Sequence, residues 1–198
     1  MAEEITPDLS PADRFRVVRA LDGDTVELAG GDRLRLLYID TPERGELFSD
    51  SARIMVERLT LGKSVLLTYG SRKRDGYGRL LAMIESDSAG IPININQRLL
   101  EKGYAHIYLF RDNLSDESQS GPIERMVAAQ RRALVAGLGI WSLEKTQEPR
   151  YLTTKRSLRF HRESCRSVAD RPSEKLRLFA TRREPLWEGL SPCRNCRP

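Results

Sequence analysis

Cysteine is missing from the first 164 residues of this 198-residue chain; its three cysteines are Cys165, Cys193 and Cys196. An odd count that includes a C-x-x-C pair argues against a disulfide framework and for a metal site. Long apolar runs are also missing, and none approaches the ~20 residues needed to cross a bilayer. The opening stretch MAEEITPDLSPADRF lacks an apolar core, so residues 1–14 read as a disordered lead-in and not as a signal peptide. The default expectation is a cytoplasmic protein, or an exported one if a leader has been trimmed. No internal repeat or low-complexity tract occurs.

What is present is a chain long enough for one ordinary domain and a small second one. Apolar residues make up 39% and charged residues 31%, as in a globular protein with a polar surface. The net charge of +5 is unevenly distributed. Residues 150–198 carry 13 Lys/Arg against 5 Asp/Glu, whereas residues 1–149 carry 20 against 23. A basic tail on a slightly acidic body suits a polyanion, because neutralising phosphates releases counterions. A merely solvated arginine-rich surface has the same composition.

Short strand-like runs fill the first half: FRVVRAL (15–21), TVELA (25–29), RLRLLYI (33–39), SVLLTYG (64–70) and GRLLAMIE (78–85), separated by DGD, GGD and SRKRDGYG turns. Five such strands suit a small closed barrel. Ala52, Met55, Val56 and Leu59 share one face of a helix behind Ser49, Asp50 and Ser51, any of which can cap it. A second helix spans Asn94 to Lys102 with Gly103 as its stop. A third opens near Pro122, turns Ile123, Met126, Val127 and Leu134 inward, and ends near Gly137. The polar stretch 143–157 has neither period and reads as a linker between a front domain (15–142) and a back module (158–198).

Polar clusters interrupt the strands at LDGDTVEL, RLRLLYIDTPE and RDGYGR. Each has an ordinary explanation in turn chemistry, and Asp-Thr-Pro-Glu could start a helix with Thr41 as cap. Arg35 is harder to explain that way. It has the strand parity of Leu37 and Ile39, and a guanidinium that faces a core must find an anion, either carboxylate or phosphate. Two aspartates, a glutamate and two arginines would also equip a site for phosphodiester hydrolysis. Carboxylates hold a hard cation, a further carboxylate activates water, and arginines stabilise the charge that develops on phosphorus oxygens.

These three motifs, with LLEKGYAHIY and GLGIW, resemble the staphylococcal-nuclease (thermonuclease) family over roughly residues 15 to 141. The resemblance implies a mainly β fold with helices: a five-stranded OB-type barrel with three helices. It implies a calcium-dependent nuclease that cuts DNA and/or RNA and leaves 3′-phosphates. Asp24, Asp40 and the carbonyl of Thr41 would be calcium ligands, and Glu43 would activate water. Arg35 and Arg79 would grip phosphate, and Tyr77 would contact a terminal phosphate. Tyr108 corresponds to a substrate-binding tyrosine across a one-residue gap. Asp22 belongs to the motif, while Gly76 replaces a lysine of the family pattern.

In the tail, three residues separate His161 from Cys165 and two separate Cys193 from Cys196. Three thiolates and an imidazole form a closed tetrahedral set, expected to be structural Zn2+ in a module too small to bury much core. This stretch, with Phe160, FATRREPLWEGL and SPCRNCRP, resembles the zinc-binding module of the Ada family of methyl-phosphotriester repair proteins. His161 stands where that module has its methyl-accepting cysteine, and an imidazole offers no thiolate to alkylate. Arg159, Arg162, Arg166, Arg194 and Arg197 surround the set, which reads as a nucleic-acid clamp. The expected partners are DNA and/or RNA, with no membrane and no obligate protein partner. The alternatives are a non-catalytic nucleic-acid-binding protein and an alkyl-damage sensor.

Overall fold

A computed structural model describes residues 14–88, 90–114, 120–143 and 149–198. The lead-in expected over 1–14 lies outside these, apart from Arg14, which opens the first strand. Strands β1 (Arg14–Ala20), β2 (Thr25–Leu28) and β3 (Arg33–Leu36) form the expected antiparallel meander. Gly30 and Gly31 turn β2 into β3 at φ 101° and 91°, values open to glycine and costly for other residues. After them come β5 (Ser64–Arg74), β6 (Leu80–Ser88) and β7 (Ile91–Asn94), giving the sheet order β3-β2-β1-β5-β6-β7. β3 also pairs in parallel with β6, so the ladder from β3 round to β6 closes on itself. β5 outruns the expected stretch because its last four residues, Ser71–Arg74, are exposed and polar and carry no apolar signal.

The expected strand over 33–39 breaks after Leu36. Tyr38 takes φ 66°, and Ile39–Asp40 (β4) leaves to pair with His106–Ile107 (β8). Three buried bonds enforce this bend. The Tyr38 hydroxyl donates to the Asn113 carbonyl at 2.9 Å. Asn96 Nδ2 donates to the Leu37 carbonyl at 2.8 Å, and Asn96 Oδ1 accepts from Ile84 N at 3.0 Å. Strand parity therefore fails for Arg35, Leu37 and Ile39, since everything from Leu34 to Ile39 is buried.

Helix α1 (Ser49–Thr60) buries Ala52, Val56 and Thr60 against the sheet. Its expected side-chain cap is replaced by Phe48 at φ 70°, while Ser49 Oγ donates to the Glu46 carbonyl. No helix starts at Thr41–Pro42, so that alternative is corrected: α1 begins eight residues after Thr41. Asn94 caps α2 (Ile95–Glu101) by accepting from Gln97 N at 2.9 Å, and Gly103 ends it at φ 67°. α3 (Ser120–Val135) buries Met126, Ala129 and Ala133, together with Gln130. With Val17, Leu34, Val65, Ile84 and Leu99, Met126 and Ala129 build the front core, where each large apolar side chain contributes about 1.5–3 kcal/mol.

The back module is a four-stranded sheet of order β11-β9-β10-β12, from β9 (Tyr151–Thr154), β10 (Arg159–Arg162), β11 (Leu176–Phe179) and β12 (Ser191–Pro192). Two short helices accompany it, α4 (Arg166–Ala169) and α5 (Arg183–Trp187). β9 lies within the expected 143–157 linker: Tyr151, Leu152 and Thr153 are buried, and polar neighbours hid them in the sequence. The module packs on the front domain. Leu134 and Trp141 join its Tyr151, Phe160, Phe179 and Leu186 cluster. Gln130 spans both units, with Oε1 accepting from Ile107 N and Nε2 donating to the Leu186 carbonyl, each at 2.7 Å. Among the described residues no helix is long and apolar enough to cross a membrane.

Candidate active site and metal centre

Asp24 sits at the β1–β2 turn, where its backbone N donates to Asp22 Oδ1 at 2.9 Å. Gly23 is required there, because a Cβ would meet Ala52 Cβ at 2.5 Å and Thr41 Oγ1 at 2.8 Å. That close approach lets Asp24 Oδ2 accept from both the backbone N and the hydroxyl of Thr41 at 3.0 Å, while Oδ1 accepts from Thr25 Oγ1. Burial pushes the Asp24 carboxyl up to about 6; Arg35 opposes this, Asp22 and Asp40 add to it, and the Thr41 backbone bond lowers it.

Arg35 is buried, at 9% exposure, and its Nη1 lies 3.0 Å from Asp24 Oδ2 while Nη2 lies 2.7 Å from Asp40 Oδ1. The bend at Tyr38 brings Asp40 back over the arginine that precedes it by five residues. Asp40 is fixed from its other side by His106, whose Nδ1 donates to the Asp40 carbonyl at 3.0 Å. Burial keeps that imidazole neutral, against the pull of Asp40. The RDGYGR motif is a tight turn with a second role. Asp75 accepts from the backbone N and Nε of Arg79 and so aims its guanidinium. Asp24, Thr41, Arg35, Asp40, Glu43 and Arg79, distant in sequence, all line one cavity of about 370 Å³. Glu43 is exposed and tied through its backbone, its N donating to Glu46 Oε2 and its carbonyl accepting from Glu46 N, each at 2.9 Å.

The two tyrosines are placed differently. Tyr77 is 88% exposed on the turn, with the Arg79 guanidinium over its ring at 5.5 Å, and it lines a neighbouring cleft with Arg79. Tyr108 is buried under two guanidinium groups of the back module, Arg159 at 3.8 Å and Arg194 at 4.5 Å from its centroid. Arg194 also lines the 370 Å³ cavity. Sequence reasoning assigned Arg194 to the metal's surroundings; no local signal links it to a pocket built from residues 21–79.

His161, Cys165, Cys193 and Cys196 present ligand atoms within 4.8 Å of one another. His161 comes from β10, and Cys193 follows β12, its parallel neighbour, directly. His161 Nδ1 is buried without a hydrogen-bond partner among the described residues, an expensive state unless a ligand takes its lone pair. Burial, with Arg159 nearby, keeps the imidazole neutral and able to ligate. Burial and the neighbouring thiols push the Cys196 thiol up to about 12, a shift that a bound cation would oppose. The donor set fits a soft-to-borderline metal.

Comparison with known proteins gives a family profile, "Staphylococcal nuclease homologue", matching residues 33–143. A Shigella flexneri protein named "Micrococcal nuclease" is 33% identical over 144 residues, covering 69% of this chain and 78% of its own. An Escherichia coli O157:H7 protein named "Uncharacterized endonuclease" is 32% identical over 130 residues, 64% of this chain and 76% of its own. The "Thermonuclease" of Staphylococcus hyicus is 27% identical over 137 residues, 65% of this chain and 75% of its own.

Proposed function

Because the chain belongs to the staphylococcal nuclease homologue family, we propose that it is a calcium-dependent nuclease of DNA and/or RNA that leaves 3′-phosphates. The observation that carries this reading is the single cavity shared by Asp24, Arg35, Asp40, Glu43 and Arg79. The closed ladder that builds it is read as the OB-type barrel of the family. Asp24, Asp40 and the Thr41 carbonyl are all hard oxygen donors and fit Ca2+, with Arg35 balancing the two carboxylates meanwhile. Bound there, the cation supplies charge stabilisation and a more acidic water.

The chain's own groups do the rest. Glu43, exposed and uncommitted to Arg35, accepts the proton of the attacking water. Arg35 and Arg79 bind the non-bridging oxygens from two sides, where negative charge grows as the new P–O bond forms. The bond to the 5′ oxygen breaks, that oxygen takes a proton from solvent to end as a hydroxyl, and phosphate stays on the 3′ carbon. Tyr77, beside Arg79, contacts a terminal phosphate. The Cys3His group holds structural Zn2+ in an Ada-like module whose basic surface adds affinity for the strand.

The test is cleavage of plasmid and single-stranded DNA in calcium and in chelator. Wild type cuts in calcium alone, and Arg79→Ala lowers kcat/KM by about 10²-fold. Equal cutting in chelator would remove the metal from the reading.

A further inference from the structure

The structure assigns Arg194 a place inside the catalytic pocket, and we propose that it is a third phosphate-binding cation, bearing on the scissile phosphodiester and supplied by the back module. The inference rests on the nuclease reading. Arg194 Nη2 lies 2.9 Å from Asp40 Oδ1, the same oxygen that Arg35 Nη2 reaches at 2.7 Å. Two guanidinium groups thus converge on one point of the cavity wall, from residues 154 and 5 positions away in sequence. Arg79 and Glu43 line the same space.

The position is built. Arg194 follows Cys193 directly, in the turn that Arg197 N closes by donating to the Cys193 carbonyl at 2.9 Å. Its guanidinium rests on the Tyr108 ring at 4.5 Å. Arg159, also over that ring, is itself tied by Nη2 to the Leu109 carbonyl at 2.8 Å. A second bridge, Arg197 to Glu46 at 3.5 Å, holds the turn beside the Glu43 loop.

A purely structural salt bridge is the weaker explanation. The Arg194 side chain is 58% exposed, so water screens its pair with Asp40 and the pair adds little to stability. Asp40 already has a buried partner in Arg35. The buried Gln130 bonds and the apolar contacts are what join the units. A fork-shaped donor set beside Arg35 matches tetrahedral phosphate oxygens.

The experiment uses the full chain in calcium and a thymidine nitrophenyl phosphodiester, which has one phosphate and cannot report a long electrostatic clamp. Arg194→Ala should lower kcat on it by about 10- to 100-fold, and Arg194→Lys should restore part, with a thermal midpoint within ~2 °C of wild type. Calorimetric binding of thymidine 3′-phosphate should weaken about tenfold in Arg194→Ala. Unchanged turnover and binding, even with weaker affinity for long DNA, would make Arg194 a clamp residue only. A large fall in thermal midpoint unrescued by lysine would make it structural. If wild type binds the nucleotide through Arg194 but never cleaves, the nuclease reading fails, and with it any part for Arg194 at a scissile bond, leaving only its binding of phosphate.

Discussion

A missing side chain at position 23 governs where Asp24 can be. Any Cβ would strike Ala52 and Thr41, which give way only by separating the β1–β2 turn from α1 and the Thr41 segment. Gly23→Ala should therefore cost stability, about 1–3 kcal/mol by the usual scale of overpacking, and also weaken calcium binding. Chemical denaturation with a calcium titration checks both, and a wild-type calcium affinity in Gly23→Ala would count against the Asp24–Thr41 ligand set. Asp75 provides a pH signature. Burial pushes its carboxyl up, but the bonds from Arg79 and Tyr77 N outweigh that and hold it below the ordinary 3.8. A carboxylate depressed on folding contributes stability above its unfolded value, lost as pH falls below about 4. Asp75→Asn should melt lower than wild type at pH 7, with the gap narrowing as pH falls below 3.8; a gap that does not narrow on acidification would break the assignment.

At the scale of elements, the turns were legible and the bend was not. Asp-Gly-Asp, Gly-Gly-Asp and Asp-Gly-Tyr-Gly are local chemistry and fall where the sequence puts them, as do α2 and its Gly103 stop. The break at Tyr38 depends on Asn96 and Asn113, more than fifty residues away, so no local pattern could show it. That bend is what returns Asp40 to Arg35. An anion for Arg35, carboxylate or phosphate, was anticipated as a need of a buried arginine, but not which one, and on a parity argument that the structure does not keep. β9 escaped notice because its buried residues lie among polar ones. The Cys3His set was visible from spacing, since thiols and imidazole have few other reasons to cluster. Elemental analysis should find about one zinc per chain. Cys193→Ser should bind none and melt well below wild type, because metal binding in so small a module is folding free energy. A metal-free wild type that melts no lower than the same protein given zinc would contradict this.

For the whole molecule, a basic module could be read from composition, but its docking could not. Gln130 has no charge and no motif, yet it is fully buried and satisfies one backbone group on each side of the seam. Gln130→Leu strands Ile107 N and the Leu186 carbonyl, and should cost roughly 2–5 kcal/mol. Differential scanning calorimetry should show the units melting separately in that variant, against one transition in wild type. A single unshifted transition would mean that the seam is held elsewhere. Arg194, 154 positions from Asp40, belongs to this scale as well, since only docking brings it to the pocket.

All of this converges on Glu43, a pocket carboxylate that neither pairs with Arg35 nor, as Asp22 does, accepts from the Asp24 backbone N. Single-turnover cleavage of an end-labelled oligonucleotide in saturating calcium isolates the chemical step. Glu43→Gln should slow it by about 10²- to 10⁴-fold without loss of substrate binding. A Glu43→Gln rate equal to wild type would put the chemistry in some other group.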